Sequence, residues 1–253
     1  MARQERKSSN TGIYHILLRG INQQRLFEQA DDYMQFLDYL YEVKKISGFT
    51  LYAYCLMNNH IHLLLKEGVE PLSKIFRRLG TRYVSWFNKK YERSGHLFQD
   101  RFKSEPVETD DYFISVLIYI YQNPVRAQIC SKTMDYEWSS RRFLGTGDAM
   151  IDQEDLTAIV PIEAIKQKEK EIVQDRSLEP MAGRNSVYSD KDIVLMMRQF
   201  SGVKNTSDFQ KMSMEEQRLL TQKLRGERVP IRQIARVTGI SKGLVERWGK
   251  ELG

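Results

Sequence analysis

Thr50-Leu51-Tyr52-Ala53-Tyr54-Cys55-Leu56-Met57-Asn58-Asn59-His60-Ile61-His62-Leu63-Leu64-Leu65-Lys66 contains two apolar runs separated by a pair of asparagines. Each run has the length and the aromatic and aliphatic character of a strand. Asn58 and Asn59 are turn formers, so the two strands are expected to lie side by side and antiparallel. In the second strand, side-chain alternation sends His60 and His62 to one face and Ile61, Leu63 and Leu65 to the other.

Upstream, Ile13 to Arg19 reads as a short strand ending at Gly20. Asp31 and Asp32 open a helix in which Tyr33, Phe36, Leu37, Leu40 and Val43 recur at helical spacing as far as Gly48. Downstream, Pro71 sits near the start of a long helix, where proline is tolerated, followed by Leu72, Ile75, Phe76, Leu79, Tyr83, Trp86 and Phe87 at spacings of three and four. A strand is expected from Phe102 to Val107, and Asp110-Asp111 begins a helix carrying Phe113, Val116, Leu117, Ile120 and Tyr121 up to Asn123-Pro124. There are too few strands for a doubly wound sheet, so the pattern predicts an α+β domain, a small antiparallel sheet packed against helices, over residues 1–147. Residues 148–186 are charge-rich and contain Pro161 and Pro180, which predicts a charged helical connector rather than core. Residues 187–253 are helical in pattern and form a second, all-α domain.

The 253-residue chain is 41% hydrophobic, enough for folded cores, and carries a formal net charge of +6. With a sequence pI of about 9.1, an anionic partner fits the balance of charge. Cys55 and Cys130 are the two cysteines, with no spacing that suggests a metal knuckle or a disulfide framework, so a reducing, cytoplasmic setting is expected. The N-terminal stretch is polar and is not a secretory leader. No apolar run approaches the roughly 20 residues that span a bilayer, so no membrane partner is expected. There is no Walker-type glycine loop.

The chemistry-bearing residues lie on two elements. Two imidazoles side by side on a strand make half of a metal site, and a divalent cation held there would polarise a phosphodiester. By itself such a pair is more often incidental to a half-buried strand than a metal site. Tyr119 and Asn123 are four residues apart on the helix that ends at Pro124, and so share a face, approximately, because proline biases the residue before it away from helical dihedrals. A tyrosine hydroxyl beside a bound phosphate is a nucleophile, and the Asn123 amide oxygen joins imidazole in a ligand set suited to magnesium or manganese. Tyr112 and Tyr121 lie nearby, and on spacing alone Tyr119 is barely separated from Tyr121.

Met57-Asn58-Asn59-His60-Ile61-His62-Leu63-Leu64, Gly95-His96-Leu97-Phe98-Gln99-Asp100-Arg101-Phe102-Lys103 and Tyr119-Ile120-Tyr121-Gln122-Asn123-Pro124-Val125-Arg126-Ala127 follow one another in that order. These three blocks resemble the signatures of REP-associated tyrosine transposases, the HUH single-tyrosine group also called IS200-like transposases. Tyr14-His15 and Glu137-Trp138-Ser139-Ser140 fit the same pattern, so the resemblance covers roughly residues 10–145. It implies a ferredoxin-like α+β domain that cuts and rejoins single-stranded, hairpin-associated DNA with Mg2+ or Mn2+. His60 and His62 take the metal-ligand positions, Tyr119 that of the nucleophile, and Asn123 that of a third ligand. The family often has proline where this chain has Asn58, which bears on the turn and leaves both histidines in place.

The remaining expectations concern surfaces. Positive side chains neutralise phosphate, and Arg77, Arg78 and Arg82 of the long helix, with Arg101, Lys103, Arg126, Arg141 and Arg142, are the candidates in the first domain. The aromatics of that helix are expected mostly in the core. From Pro230 to Trp248 the chain has helix-turn-helix grammar: Ile231, Ile234 and Ala235 on a first helix, Gly239 in the turn, Ser241 as a cap. Arg232, Lys242 and Arg247 are then available to duplex DNA. The chain is compatible with a homodimer. The alternative function is a non-catalytic, transposase-derived DNA-binding regulator, for which His60, His62 and Tyr119 would be unnecessary. A zinc hydrolase would need a further histidine or carboxylate beside the pair, and neither His15 nor His96 has a motif context for that.

Overall fold

The computed structural model describes residues 7–147, 149–176, 188 and 190–250. Residues 148 and 177–186 of the expected connector and the N-terminal hexapeptide lie outside them. The first domain runs β1 (Ile13–Arg19), α1 (Ala30–Ser47), β2 (Thr50–Met57), β3 (His60–Lys66), α2 (Leu72–Lys90), β4 (Lys103–Pro106) and α3 (Asp110–Arg126). The strands form one antiparallel sheet in the order β2-β3-β1-β4, the βαββαβ connectivity of a ferredoxin-like fold.

The alternation seen in the sequence decides which side chains go where. Ile16, Leu18, Ile61, Leu63 and Leu65 face α1 and α2, which bring Phe36, Leu40, Val43, Ile75, Leu79, Tyr83 and Phe87 into one buried cluster. The aromatics of α2 are thus largely core, as expected. Ala53, Cys55 and Leu64 face the other way, against Phe113, Val116, Leu117 and Ile120 of α3. Asp32 ties the first layer together. Fully buried, it accepts from the Glu28 and Gln29 amides at the start of α1 and from Lys90 Nζ (2.6 Å) and Tyr91 Oη at the end of α2.

The β2–β3 turn departs from the usual two-residue hairpin. Such turns favour left-handed residues, yet neither Asn58 nor Asn59 has a positive φ. The turn is instead fastened from outside. The Leu26 amide donates to Asn58 O (2.7 Å), the Gly20 amide to Asn59 O (2.9 Å), and Asn59 Nδ2 to Gln23 O (3.3 Å). A negative φ at Asn58 is also the sign that proline requires, so the turn needs no change of hand to hold either residue.

The outer edge of β2 is covered by residues 138–140: Leu56 N donates to Trp138 O, Tyr54 N to Ser140 Oγ, and Cys55 bridges Ser139. Beyond them, α4 (Gln153–Ile159) and α5 (Ile162–Arg176) correct the expectation of a connector outside the core. Leu156, Val160 and Ile165 are buried in the α3 cluster, and the buried Arg141 pairs with Glu169 of α5 at 2.7 Å.

A third core belongs to the C-terminal helices, α6 (Asp190–Ser201), α7 (Thr206–Lys211), α8 (Met214–Gly226), α9 (Ile231–Thr238) and α10 (Lys242–Lys250). Gly239 ends α9 in the left-handed conformation, and Ser241 Oγ accepts from Leu244 N at the start of α10. This bundle rests on the turn that follows β1. Asn22 Nδ2 donates to Gly239 O (3.0 Å), and Gln210 Nε2 to Oε1 of the buried Gln24 (2.9 Å). Among the described residues no helix is long and apolar enough to cross a membrane.

Candidate active site and nucleic-acid interface

His60 and His62 project from β3 onto the α3 face, at the end of the strand next to the turn. His60 Nδ1 donates to Asn59 Oδ1 at 2.7 Å, which leaves Nε2 with its lone pair. The Asn59 amide is itself held by its bond to Gln23 O, so the oxygen is the atom that faces the ring. His62 is almost wholly buried, and its ring stands edge-on to Tyr119 with centroids 5.5 Å apart. Burial, reinforced by Arg19 and opposed by Asn123, holds the His60 pKa down at about 4. The same burial, with His60, His15 and Arg19 nearby, depresses His62 further. Both imidazoles are therefore neutral at physiological pH, the form that ligates metal.

Tyr119 and Asn123 come from α3. The helix begins at Thr109, whose side chain accepts from the Tyr112 amide, and it continues through Pro124 to Arg126. The interruption that proline favours does not occur, so Tyr119 and Asn123 share a face in full helical register. Asn123 Nδ2 donates to Tyr119 O at 2.9 Å, an added bond within the turn that proline weakens. The Asn123 side chain is within hydrogen-bonding reach of His60. Tyr119 is 37% exposed whereas Tyr121 is fully buried, and burial pushes the Tyr121 hydroxyl well above its usual range. Of the two tyrosines that spacing left nearly equal, only Tyr119 reaches both solvent and the histidines.

Among the described residues no group of three or more His, Cys, Asp and Glu side chains is gathered for a metal. A cation at this site would depend on two neutral imidazoles and the amide oxygen of Asn123, with its remaining positions open to phosphate or water oxygens. Mixed nitrogen and oxygen donors of this kind fit manganese or magnesium.

Two residues missed at first stand beside the pair. His15, on β1, shares a 2.9 Å hydrogen bond between its Nε2 and His62 Nδ1. Arg19, at the end of the same strand, lies opposite His60 in the β1–β3 register. Their signal was the strand itself, because His15, Leu17 and Arg19 alternate onto the histidine face.

The cationic candidates divide between surfaces. Lys103 pairs with Leu17 across β4–β1, on the histidine face, and the Arg126 guanidinium lies 5.1 Å over the Tyr119 ring. Arg77 and Arg101 line a groove of about 710 Å3 between α2 and residues 96–102, on the other side of the edge strand. Arg78 is bound bidentately by Glu70, and Arg82 pairs with Glu42 while lying over Tyr39. Arg141 is buried against Glu169 and so is withdrawn from the surface it was expected to serve, while Arg142 beside it is exposed. Arg232, Lys242 and Arg247 are exposed on α9 and α10; the Lys250 side chain lies outside the described residues.

Comparison with known proteins follows the same lines. The model of the family described as "Transposase IS200 like" matches residues 8–123. The fold is similar to that of a REP-associated tyrosine transposase solved bound to a REP hairpin, with a TM-score of 0.50 at 18% identity, covering 59% of this chain and 93% of that one. A protein from Deinococcus radiodurans R1 described as a transposase is similar at 19% identity and a TM-score of 0.32, over 51% of this chain and 92% of that one. No curated protein shows significant similarity.

Proposed function

We propose, from the match of residues 8–123 to the IS200-like transposase family model, that the protein is a single-stranded DNA endonuclease and transposase acting at hairpin-associated sites. The observation that carries this reading is the meeting of His60, His62 and Asn123 with the one exposed tyrosine of α3's inner turns, Tyr119.

In this mechanism Tyr119 is the nucleophile. Its hydroxyl oxygen attacks the scissile phosphorus in line, a Tyr–O–P bond forms, and the bond to the 3′ oxygen breaks. The tyrosine proton is lost to solvent and the departing 3′ oxygen takes up a proton, leaving a free 3′ hydroxyl and a 5′-phosphotyrosine. Attack by another 3′ hydroxyl reverses the exchange and rejoins strands without nucleotide hydrolysis. His60, His62 and Asn123 would hold a divalent cation, which would supply Lewis-acid polarisation of the phosphate. Asn59 orients His60, and Arg126 and Lys103 border the site with positive charge that draws the DNA backbone. The groove lined by Arg77 and Arg101 extends the track past β4, and α9 and α10 serve duplex DNA through Arg232, Lys242 and Arg247.

The test uses hairpin-bearing oligonucleotides from the DNA flanking the gene, labelled at either end, with Mg2+ or Mn2+. The 3′-labelled strand should become covalently attached to the protein and the 5′-labelled strand should be released. Tyr119→Phe should abolish the adduct while retaining binding. Binding without cleavage by the unaltered protein would instead identify a non-catalytic, transposase-derived regulator.

A further inference from the structure

His15 has no place in the mechanism above, yet its ring hydrogen-bonds that of His62. The two rings are inclined by only 17°, with centroids 5.1 Å apart and facing nitrogens 2.9 Å apart. Two ring radii account for the difference, so the nitrogens lie almost on the line joining the ring centres. Their in-plane lone-pair directions therefore meet head-on. A metal between them would stand about 1.5 Å from each, well inside the roughly 2.0–2.1 Å that imidazole ligation requires. The contact is an N–H···N hydrogen bond and not a shared ligand pair.

The direction of that bond follows from the far side of His15. Across the β1–β4 register His15 faces Glu105, whose Oε2 is 4.0 Å from His15 Nδ1. Tyr112, in the first turn of α3, hydrogen-bonds the same carboxylate. A carboxylate beside Nδ1 favours the proton there, which makes His15 Nε2 the acceptor and His62 Nδ1 the donor. His62 Nε2 then carries the free lone pair. Were the bond reversed, His62 would keep its proton on Nε2 and that nitrogen would be closed to a cation.

We infer that His15, backed by Glu105, is a positioning residue that fixes His62 as its Nδ1–H tautomer and presents Nε2 to the ligand site. This rests on the reading of His62 as a metal ligand. His60 is fixed in the same sense by Asn59, so the strand offers both histidines through the same nitrogen. Hydrogen-bond partners behind a metal-bound histidine typically govern 10–100-fold in affinity.

The experiment is long-range 1H–15N correlation NMR of the metal-free, 15N-histidine-labelled full chain, paired with Mn2+ titration followed by EPR. Expected are a His62 Nδ1–H tautomer in the unaltered protein, its loss in His15→Phe, and its retention in His15→Gln, whose amide oxygen can accept the same proton. Mn2+ affinity should fall about 10–100-fold in His15→Phe and recover most of that in His15→Gln. An Nε2–H tautomer in the unaltered protein, or a tautomer unmoved by His15→Phe, overturns the inference. The expected tautomers without any Mn2+ binding would uphold the role of His15 and overturn the metal reading instead.

Discussion

At the scale of single residues, Glu28 is a carboxyl at odds with its surroundings. Its side chain is 2% exposed, with the Arg25 guanidinium 3.9 Å away and Thr206 of α7 beside it. Burial raises its pKa to about 7, and Arg25 and Thr206 offset only part of the rise. In the unfolded chain the same carboxyl titrates near 4.5. Between these values the native state keeps a proton that the unfolded chain has released, so stability falls as pH rises from about 4.5 to 7 and stays reduced above it. Glu28→Gln should remove that dependence: near-equal stability at pH 4.5, and a gain on the order of 2 kcal/mol at pH 8, read from urea unfolding at both. The residue scale is also where the sequence was most and least legible. The shared face of His60 and His62 was visible because alternation on one strand is local, and that of Tyr119 and Asn123 because helical spacing is local, while the exposure that separates Tyr119 from the buried Tyr121 was not. The contact of His15 with His62 depends on how β1 registers against β3, and a pairing across 47 residues leaves no trace in either segment alone.

At the scale of elements, α3 and the α4–α5 pair show the limits of local rules from opposite sides. Pro124 was read as a helix boundary; packing of the buried 120–124 segment and the Asn123 bond to Tyr119 O keep the helix going for two residues more. Residues 148–186 were read as connector because the stretch is charge-rich and contains Pro161 and Pro180, whatever its apolar side chains. The few that matter, Leu156, Val160 and Ile165, are separated by exposed residues, and the Arg141–Glu169 pair buries two charges that composition assigns to solvent. Leu156 is fully buried, so Leu156→Ala should destabilise the first domain by about 2–4 kcal/mol, measured by denaturant unfolding. A value near zero would return α4 to the status of a passive connector. The strands and the first two helices needed no such correction, because their apolar stripes alone specify which face is buried.

For the molecule as a whole, the C-terminal bundle meets the first domain at a glycine in the left-handed conformation, where a side chain would crowd the contact. A Cβ on Gly239 would stand 2.4 Å from Gln210 Nε2 and 3.1 Å from Gln24 Oε1, and the backbone there has φ of 78°. Gly239→Ala should therefore loosen the docking as well as strain the end of α9. The expected result is a calorimetric trace that separates into two transitions, with the earlier one belonging to the bundle; an unchanged trace would show the contact to be incidental. The sequence placed the glycine correctly in a turn, but its second role as the floor of a contact between distant segments required the assembled fold. The sheet's two margins carry a different consequence, for self-association. On the β2 side residues 138–140 already occupy the hydrogen-bonding positions a neighbouring strand would use, and on the other side β4 is four residues long, bears Lys103 and Glu105, and ends at Pro106. Short, charged, proline-ended margins discourage strand addition. A pair of these molecules would thus join more readily through helices or loops than by splicing their sheets into one, because one margin is already occupied by the chain itself and the other offers a neighbour only four residues.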